Sequence, residues 1–306
     1  MTEKITLGVV GLGSIARKAH LPVLIAHPGV EIIGLASRSG AQVEELASQY
    51  RLSLKARSFE EILKVRPRAA YLLSATEAHA EQALALLEAG IALFMEKPLA
   101  NSLAEAEAIV AAARGRLLMV GFNRRFAPAY RRALALFAES GRPVELAVIQ
   151  KHRSGSHAGW GLRQAVMDDT IHIIDLARFF GGADLRVVGA QARPGLVAAQ
   201  LRGGAAVQLS QTYGAGADLE RVELHGSALT VIVEQVERLT VREKGVERVE
   251  PLFGSWTPTL ERRGIGPELE HFLHCLRTGA RPETSGEEAL ATQRLAEAIL
   301  TAGGGA

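Results

Sequence analysis

The sequence predicts an α/β protein of two domains. Residues 1–122 are predicted to form a doubly wound parallel sheet, because apolar runs alternate with helical patterns from Lys4 to Gly121. Residues 123–306 are predicted to form an α+β domain with a mostly antiparallel open sheet, because short strand patterns follow one another there and two helical patterns close the chain. Gly203-Gly204, between two such strands, indicates a two-residue hairpin.

Composition limits the function classes. Of 306 residues, 48% are hydrophobic, and the formal net charge is only +2, so no strong field is present to collect nucleic acid or an anionic membrane. The single cysteine, Cys275, excludes an internal disulfide and indicates a reducing compartment. No apolar run reaches the roughly 20 residues of a spanning helix, and the first residues lack a signal-peptide pattern. We therefore expect a cytoplasmic protein that binds neither membrane nor nucleic acid, with no predicted metal site.

A glycine pattern follows the first strand. The sequence Gly11-Leu12-Gly13-Ser14-Ile15-Ala16 lies between a strand pattern and a helical pattern, and its G-x-G-x-x-A spacing predicts dinucleotide binding. Gly11 permits the tight turn, Gly13 lets the backbone approach a pyrophosphate, and Ala16 keeps the helix close to the strand. The helix start offers N–H groups and a positive dipole end to the phosphates. A purely structural glycine turn is the alternative. The expected cofactor contacts here are Gly11, Gly13, Ser14 and Ile15.

The end of the second strand bears on the choice of cofactor. Val30–Ala36 is followed by Ser37-Arg38-Ser39, where folds of this kind usually carry an Asp or Glu for the adenosine ribose. No carboxylate is present to repel a 2′-phosphate, and a hydroxyl with a guanidinium suits phosphate recognition. We therefore predict NADP in preference to NAD, bound by Ser37 and Arg38. The alternative is that Arg38 stacks on the adenine, which is compatible with either nucleotide.

Two further strand ends of the first domain carry polar residues. Thr76-Glu77-Ala78-His79 opens a helix, and His79 either touches the cofactor or hydrogen-bonds the turn. The apolar run Ile91–Met95 ends at Glu96-Lys97-Pro98. Ligands bind at the carboxyl ends of such strands, so Lys97 is a candidate catalytic group. A surface lysine that ends a strand is the alternative.

The second domain offers a candidate base. Asp168 and His172 are four residues apart and His172 and Asp175 three apart in a helical pattern, so they are predicted to share a face. A histidine flanked by two carboxylates has a fixed tautomer and a raised basicity. The alternative is a capped helix with a half-buried, hydrogen-bonded histidine. Ahead of this helix, residues 151–163 are predicted to form a long polar loop that contains His157, and loops of this length are commonly functional.

Taken together, these motifs resemble the Gfo/Idh/MocA family of dehydrogenases over nearly the whole chain. The resemblance implies a two-domain α/β fold that binds a pyridine nucleotide and oxidises a secondary hydroxyl of a sugar or cyclitol, or catalyses the reverse reduction. The segments that carry it are Gly11–Ala16, His79–Leu84, Glu96–Pro98, Gly121–Phe126, Asp168 with His172 and Asp175, and Glu223–Gly226.

The resemblance also implies roles. Lys97 would hydrogen-bond the reacting oxygen, His172 would take the hydroxyl proton, and Asp168 would support that site. This agrees with the chemistry, since loss of a hydride requires a developing alkoxide, a cation beside it and a base. Arg124 would line the nicotinamide or substrate pocket. The cofactor contacts that the resemblance adds are Thr76, His79, Glu96, Lys97 and Arg124.

The chain departs from the family pattern at three places. Thr76-Glu77-Ala78-His79 is shorter than the usual Thr-Pro-Asn-x-x-His turn. Leu162-Arg163-Gln164 replaces the usual glycine-rich run before the catalytic aspartate. Asp169 stands beside Asp168, and the spacing of four to His172 favours Asp168.

Three functions stay open at this point: an NAD(P)-dependent dehydrogenase or reductase, a glycosidase that uses a tightly held nucleotide in place, and a nucleotide-binding regulatory protein without catalysis. We expect a homodimer or homotetramer through the exposed face of the antiparallel sheet, as the family implies. An acidic sugar is one candidate substrate because of four arginines, namely Arg124, Arg125, Arg153 and Arg163.

Overall fold

The structure is a computed structural model that describes residues 3–155 and 159–304. It divides into two compact units: Met1–Gly121 with Ile265–Leu290, and Phe122–Gly264 with Ala291–Ala306. These units differ from the predicted domains, 1–122 and 123–306, at the C-terminal helices, because residues 265–290 group with the first unit.

The first unit contains a five-stranded parallel sheet in the order β2-β1-β3-β4-β5, which confirms the predicted doubly wound sheet. Most of its strand residues are buried, as a sheet covered on both faces requires. The strand order reverses between β1 and β3, and ligands bind at such switch points, at the carboxyl ends of the strands. The strands are β1 (Ile5–Val10), β2 (Val30–Ala36), β3 (Ala69–Leu72), β4 (Ala92–Glu96) and β5 (Leu118–Gly121).

The helices between these strands are α1 (Leu21–Ala26), α2 (Gly40–Gln49), α3 (Phe59–Val65), α4 (His79–Glu88) and α5 (Leu103–Ala112). A π-helical segment, Ala16–His20, precedes α1, and a 3₁₀ turn, Thr76–Ala78, precedes α4. Helix α5 begins with a complete capping box, in which Ser102 Oγ accepts from the Glu105 N–H and the Glu105 carboxylate accepts from the Ser102 N–H.

The second unit contains an eight-stranded sheet in the order β13-β12-β11-β10-β6-β9-β8-β7. Among the described strands of this sheet, only β6 and β9 pair in parallel, which confirms the predicted, mostly antiparallel sheet. The glycine hairpin is one residue longer than predicted, because Arg202 pairs with Ala206 and leaves Ala205 in the loop. The strands are β6 (Leu146–Ser154), β7 (Arg186–Arg193), β8 (Leu196–Arg202), β9 (Ala206–Thr212), β10 (Gly214–Gly226), β11 (Leu229–Glu234), β12 (Arg238–Glu243) and β13 (Val246–Glu250).

Helices cover one face of this second sheet. Ala147, Ile149 and Lys151 alternate along β6 on the covered face and are buried, whereas Val148 and Gln150 between them are half-buried. A 3₁₀ turn, Asn123–Phe126, opens the unit, and a π-helical segment, Val166–Thr170, leads into α8. The helices are α6 (Pro128–Ser140), α7 (Leu162–Ala165), α8 (Ile171–Gly181) and α9 (Thr259–Arg262).

Two helices close the chain, α10 (Ile265–Thr278) and α11 (Gly286–Ala302). Helix α10 belongs to the first unit because Phe272 packs edge-on against Tyr71 and Phe94, with ring centroids 5.4 and 5.7 Å apart. Within residues 3–155 and 159–304, none of the helices is both long enough and apolar enough to span a membrane.

Candidate active site

The turn after β1 leaves its backbone open to a ligand. Gly11 has a φ of +91°, and a Cβ on it would lie 2.3 Å from the backbone N of Ser74, so only glycine fits there. A Cβ on Gly13 would meet nothing within 4 Å. Gly13, Ser14 and Ile15 are all exposed, and Ile15 is an unusual apolar residue to expose, at 44%. The first N–H groups of the helix that follows lack intrahelical acceptors. The turn therefore fits the pyrophosphate of a dinucleotide.

At the end of β2, the side chain of Ser37 is hydrogen-bonded within the first unit. Ser37 Oγ donates to Gln42 Oε1 at 2.8 Å, and the Ser39 N–H donates back to Ser37 Oγ at 3.4 Å. The Arg38 side chain is exposed. Contacts of Ser37 and Arg38 with a nucleotide stay predictions.

The end of β4 is held by the half-buried carboxylate of Glu96. Glu96 Oε1 lies 2.8 Å from His20 Nε2, and Glu96 Oε2 accepts from the Lys97 N–H at 3.2 Å. Burial raises the pKa of Glu96, but the hydrogen bond and charge of His20 and the charge of Lys97 outweigh it, so the pKa lies below its ordinary value. Glu96 is therefore ionised at neutral pH. Lys97 itself is half-buried.

His79 secures the same turn from another side. Its ring is only 1% exposed, with Nδ1 2.9 Å from the Pro98 carbonyl and Nε2 3.1 Å from the Ser74 carbonyl. Burial lowers the pKa of His79, although both carbonyl contacts oppose that shift. Both ring nitrogens face backbone oxygens, which fits the alternative that His79 hydrogen-bonds the turn, and its contact with a cofactor stays a prediction. Thr76 lies half-buried in the 3₁₀ turn ahead of it, and its cofactor contact stays a prediction.

In the second unit, Asp168 and His172 lie on the π-helical segment and on α8, and both are half-buried. Asp175 is held by other residues of the second unit. Its carboxylate accepts from Arg125 Nε and Nη2 at 2.8 and 2.7 Å and from Thr292 Oγ1 at 2.9 Å. A buried arginine thus takes the Asp175 carboxylate with two hydrogen bonds, and a role of Asp175 beside His172 stays a prediction.

The two adjacent aspartates have different surroundings. Asp169 Oδ1 accepts from Lys151 Nζ at 2.5 Å and from Arg153 Nη2 at 3.2 Å, and Asp169 Oδ2 accepts from Gln211 Nε2 at 2.5 Å. Burial raises the pKa of Asp169, but Lys151 and Arg153 hold it far below the usual range. Asp169 is thus committed to the interior, and Asp168 remains the catalytic candidate.

Arg124 is also paired within the second unit. Its Nε and Nη2 donate to the two oxygens of Glu220 at 2.6 and 2.9 Å, and Tyr130 Oη donates to Glu220 at 3.2 Å. Burial raises the pKa of Glu220, and the charge and hydrogen bonds of Arg124 more than reverse this, lowering it to about 2. Contact of Arg124 with the cofactor stays a prediction, with one edge of the guanidinium already occupied.

Sequence reasoning missed Lys151, which it placed in a polar loop. Strand β6 runs to Ser154, so Lys151 is a strand residue and is fully buried on the helix-covered face. The alternation of Ala147 and Ile149 continues through Lys151 and would have found it. Burial, with a smaller effect of Arg124, lowers the pKa of Lys151 to about 7. His157, in the same predicted loop, lies outside the described residues.

Comparison with known proteins identifies relatives of the whole chain. The sequence pattern of the oxidoreductase family with an NAD-binding Rossmann fold matches residues 5–123. A Salmonella typhimurium protein named "Putative oxidoreductase YceM" is 33% identical over 309 aligned positions, which cover 96% of each chain. The inositol 2-dehydrogenase of Rhizobium meliloti is 26% identical and covers 97% of this chain and 96% of its own. A solved dehydrogenase (MviM) from Clostridium difficile superposes with a TM-score of 0.90 at 29% identity, over 98% of this chain and 99% of its own.

Proposed function

This chain belongs to the Gfo/Idh/MocA family of NAD-binding oxidoreductases, and we propose that it transfers a hydride between a nicotinamide nucleotide and a secondary hydroxyl or carbonyl of a sugar or cyclitol. The observation that carries the proposal is Lys97, a half-buried lysine at the end of β4 whose turn is fixed by Glu96 and His79. A solvated lysine that merely ended a strand would need no such support.

In this proposal each residue either transfers a proton or stabilises a charge during the reaction. The nucleotide, when bound, supplies the hydride acceptor or donor. The Lys97 ammonium donates a hydrogen bond to the reacting oxygen and stabilises the charge that develops on it. His172 takes the hydroxyl proton as general base, and Asp168 supports that site. The open turn at Gly11–Ile15 holds the pyrophosphate through backbone N–H groups.

The substrate is proposed to be uncharged rather than an acidic sugar. An acidic substrate would need a cation whose charge is not already balanced by the protein. The four arginines that raised the acidic alternative are each ion-paired within the second unit, which favours a neutral polyol. The pairs are Arg124–Glu220, Arg125–Asp175, Arg153 with Asp169 and Asp218, and Arg163–Glu297.

The cofactor is proposed to be NADP, with NAD as the alternative. In wild type we expect tighter binding of NADP than of NAD. In Arg38→Ala we expect NADP affinity to fall about tenfold, since a charge-assisted hydrogen bond contributes about 1.5 kcal/mol or more, with little change for NAD. Fluorescence titration of both nucleotides measures this. Tighter binding of NAD by wild type would refute the 2′-phosphate argument, and equal losses for both nucleotides would favour stacking on the adenine.

Turnover tests the reaction itself. Absorbance of the reduced nucleotide is followed over a panel of neutral polyols, sugars and acidic sugars, with wild type and with Lys97→Met and His172→Gln. We expect oxidation of a neutral polyol or sugar and a loss of roughly 100-fold or more in kcat for each variant. If the two residues serve one step, the double variant is little worse than either single one. Tight nucleotide binding without turnover would favour a regulatory protein, and glycoside cleavage without net nucleotide change would favour the glycosidase.

The second sheet and the cysteine content bear on the assembly and the location of the protein. We propose that the chain forms a homodimer or homotetramer through the exposed face of the second sheet, which presents Val148, Gln150, Gln200 and Gln208. Light scattering of wild type and Val148→Glu tests this, and an unchanged mass for the variant would contradict it. A cytoplasmic location is proposed from the single, unpaired Cys275, and fractionation of the source cells checks it.

A further inference from the structure

His20 is a buried polar residue with no role in the reaction described above. It is the last residue of the π-helical segment Ala16–His20 and is only 1% exposed. Its ring lies against Tyr71 and Phe94, with centroids 5.7 and 5.4 Å apart. A histidine in such apolar surroundings needs a hydrogen-bond partner, and the partner it has is Glu96.

Two hydrogen bonds converge on the Glu96 carboxylate, one from His20 and one from the backbone of Lys97. An ionised carboxylate only accepts, so His20 Nε2 is the donor in the 2.8 Å contact to Glu96 Oε1. The second oxygen, Oε2, accepts from the backbone N–H of Lys97 at 3.2 Å. Glu96 is therefore held on one side by His20 and holds the Lys97 backbone on the other. The ring contacts restrict the imidazole, and the imidazole restricts the carboxylate.

The position of His20 in the chain adds a second connection. The π-helical segment starts at Ala16, the last residue of the glycine pattern, so one continuous helical segment joins the phosphate-binding turn to His20. A π-helical turn contains one residue more than an α-helical turn, and such insertions are frequent at functional sites. Here the segment buries Ala16, Ala19 and His20 together. The turn at Gly11–Ile15 and the strand end at Lys97 thus meet through one side chain.

We propose that His20 is a positioning residue, which acts through Glu96 to fix Lys97 at the end of β4 and links that lysine to the phosphate-binding turn. Its kinetic consequence rests on the proposed function, since it requires Lys97 to act on the reacting oxygen. The structural consequence, an altered environment of the Lys97 side chain, does not require turnover.

The test compares variants that separate the hydrogen bond from the shape of the ring. His20→Phe keeps an aromatic ring against Tyr71 and Phe94 but removes the donor, whereas His20→Gln keeps a donor. His27→Gln is the matched control, because His27 also pairs with a glutamate in the first unit, Glu270, at 2.9 Å, away from Lys97. Thermal unfolding and circular dichroism establish that each variant folds.

For activity, we expect His20→Phe to lower kcat at least tenfold with less than a threefold change in the KM for substrate, His20→Gln to recover most of it, and His27→Gln to stay within twofold of wild type. Because His20 acts through Glu96, His20→Phe should add less than twofold to the loss in Glu96→Gln. Wild-type kcat in a folded His20→Phe, or fully multiplicative losses in the double variant, would overturn the proposal.

A second readout does not depend on turnover. Lysines are dimethylated with carbon-13-labelled formaldehyde, and the Lys97 signal is identified by its absence in Lys97→Arg. We expect the Lys97 signal to shift in His20→Phe in the same direction as in Glu96→Gln and to stay in place in His27→Gln. An unshifted Lys97 signal in His20→Phe overturns the proposal. A shifted signal in a protein with no turnover on any substrate supports the positioning of Lys97 and counts against the proposed reaction instead.

Discussion

The buried Lys151 gives the second unit a distinctive pH dependence. Its side chain is fully buried, and its pKa is lowered to about 7, chiefly by burial. An exposed lysine in the unfolded chain has a pKa of about 10.4. Between these values the unfolded state binds a proton that the folded state does not. We therefore expect the unfolding free energy to rise with pH in this window, whereas below about pH 7 the cost of the buried charge is present in full.

The size of the effect follows from the linkage relation. Each pH unit inside the window contributes about 1.4 kcal/mol, so raising the pH from about 7.5 to about 9.5 should add roughly 2 to 3 kcal/mol to the unfolding free energy. Lys151→Met removes the titrating group but leaves Asp169 its contacts with Arg153 and Gln211, so the variant can still fold. We expect this contribution to the change of the unfolding free energy with pH to vanish in Lys151→Met.

Urea unfolding at three pH values measures the difference. Both tryptophans, Trp160 and Trp256, lie in the second unit, so their fluorescence reports on the unit that contains Lys151. The control is Lys244→Met, which removes an exposed lysine of the same unit and should leave the slope unchanged. Equal slopes in wild type and Lys151→Met would refute the reasoning, because they would mean that Lys151 stays protonated beside Asp169 throughout the window.

Three other changes have definite expected outcomes. Gly11→Ala should cost about 3 kcal/mol or more and abolish nucleotide binding, because its Cβ would lie 2.3 Å from Ser74 N at a φ of +91°; thermal unfolding and nucleotide titration check this, and wild-type affinity would contradict it. Arg125→Leu should lower the free energy of unfolding by about 3 to 5 kcal/mol, because it leaves the carboxylate of Asp175 buried without its cation. In urea unfolding, the double variant with Asp175→Leu should recover part of that loss. Ser102→Ala should cost about 1 kcal/mol through loss of the helix cap, and a change below about 0.3 kcal/mol would show that the cap contributes little.

Much of the fold could be derived from the sequence because it depends on short-range pattern. Buried parallel strands are continuous apolar runs, and glycine at a φ of +91° leaves no alternative residue for the turn at Gly11. The position of Lys97 could also be derived from the sequence, since the carboxyl ends of parallel strands lie at one edge of the sheet. Strands β7 and β13 and the extension of β6 to Ser154 were not predicted, because strands that carry many exposed or polar residues resemble loops in sequence.

What the tertiary structure alone decided is which charged groups pair. The sequence spacing predicted that Asp175 lies beside His172. In the structure, the Asp175 carboxylate accepts two hydrogen bonds from Arg125, which is distant in the sequence. Sequence could not separate Asp168 from its neighbour, whereas burial beside Lys151 commits Asp169 to the interior. The reason is physical: a charge removed from water must find an opposite charge among whatever residues the fold places beside it. The sequence by itself determined the family, the glycine turn and the place of Lys97 at the end of β4, whereas the packed interior determined which charged side chains pair.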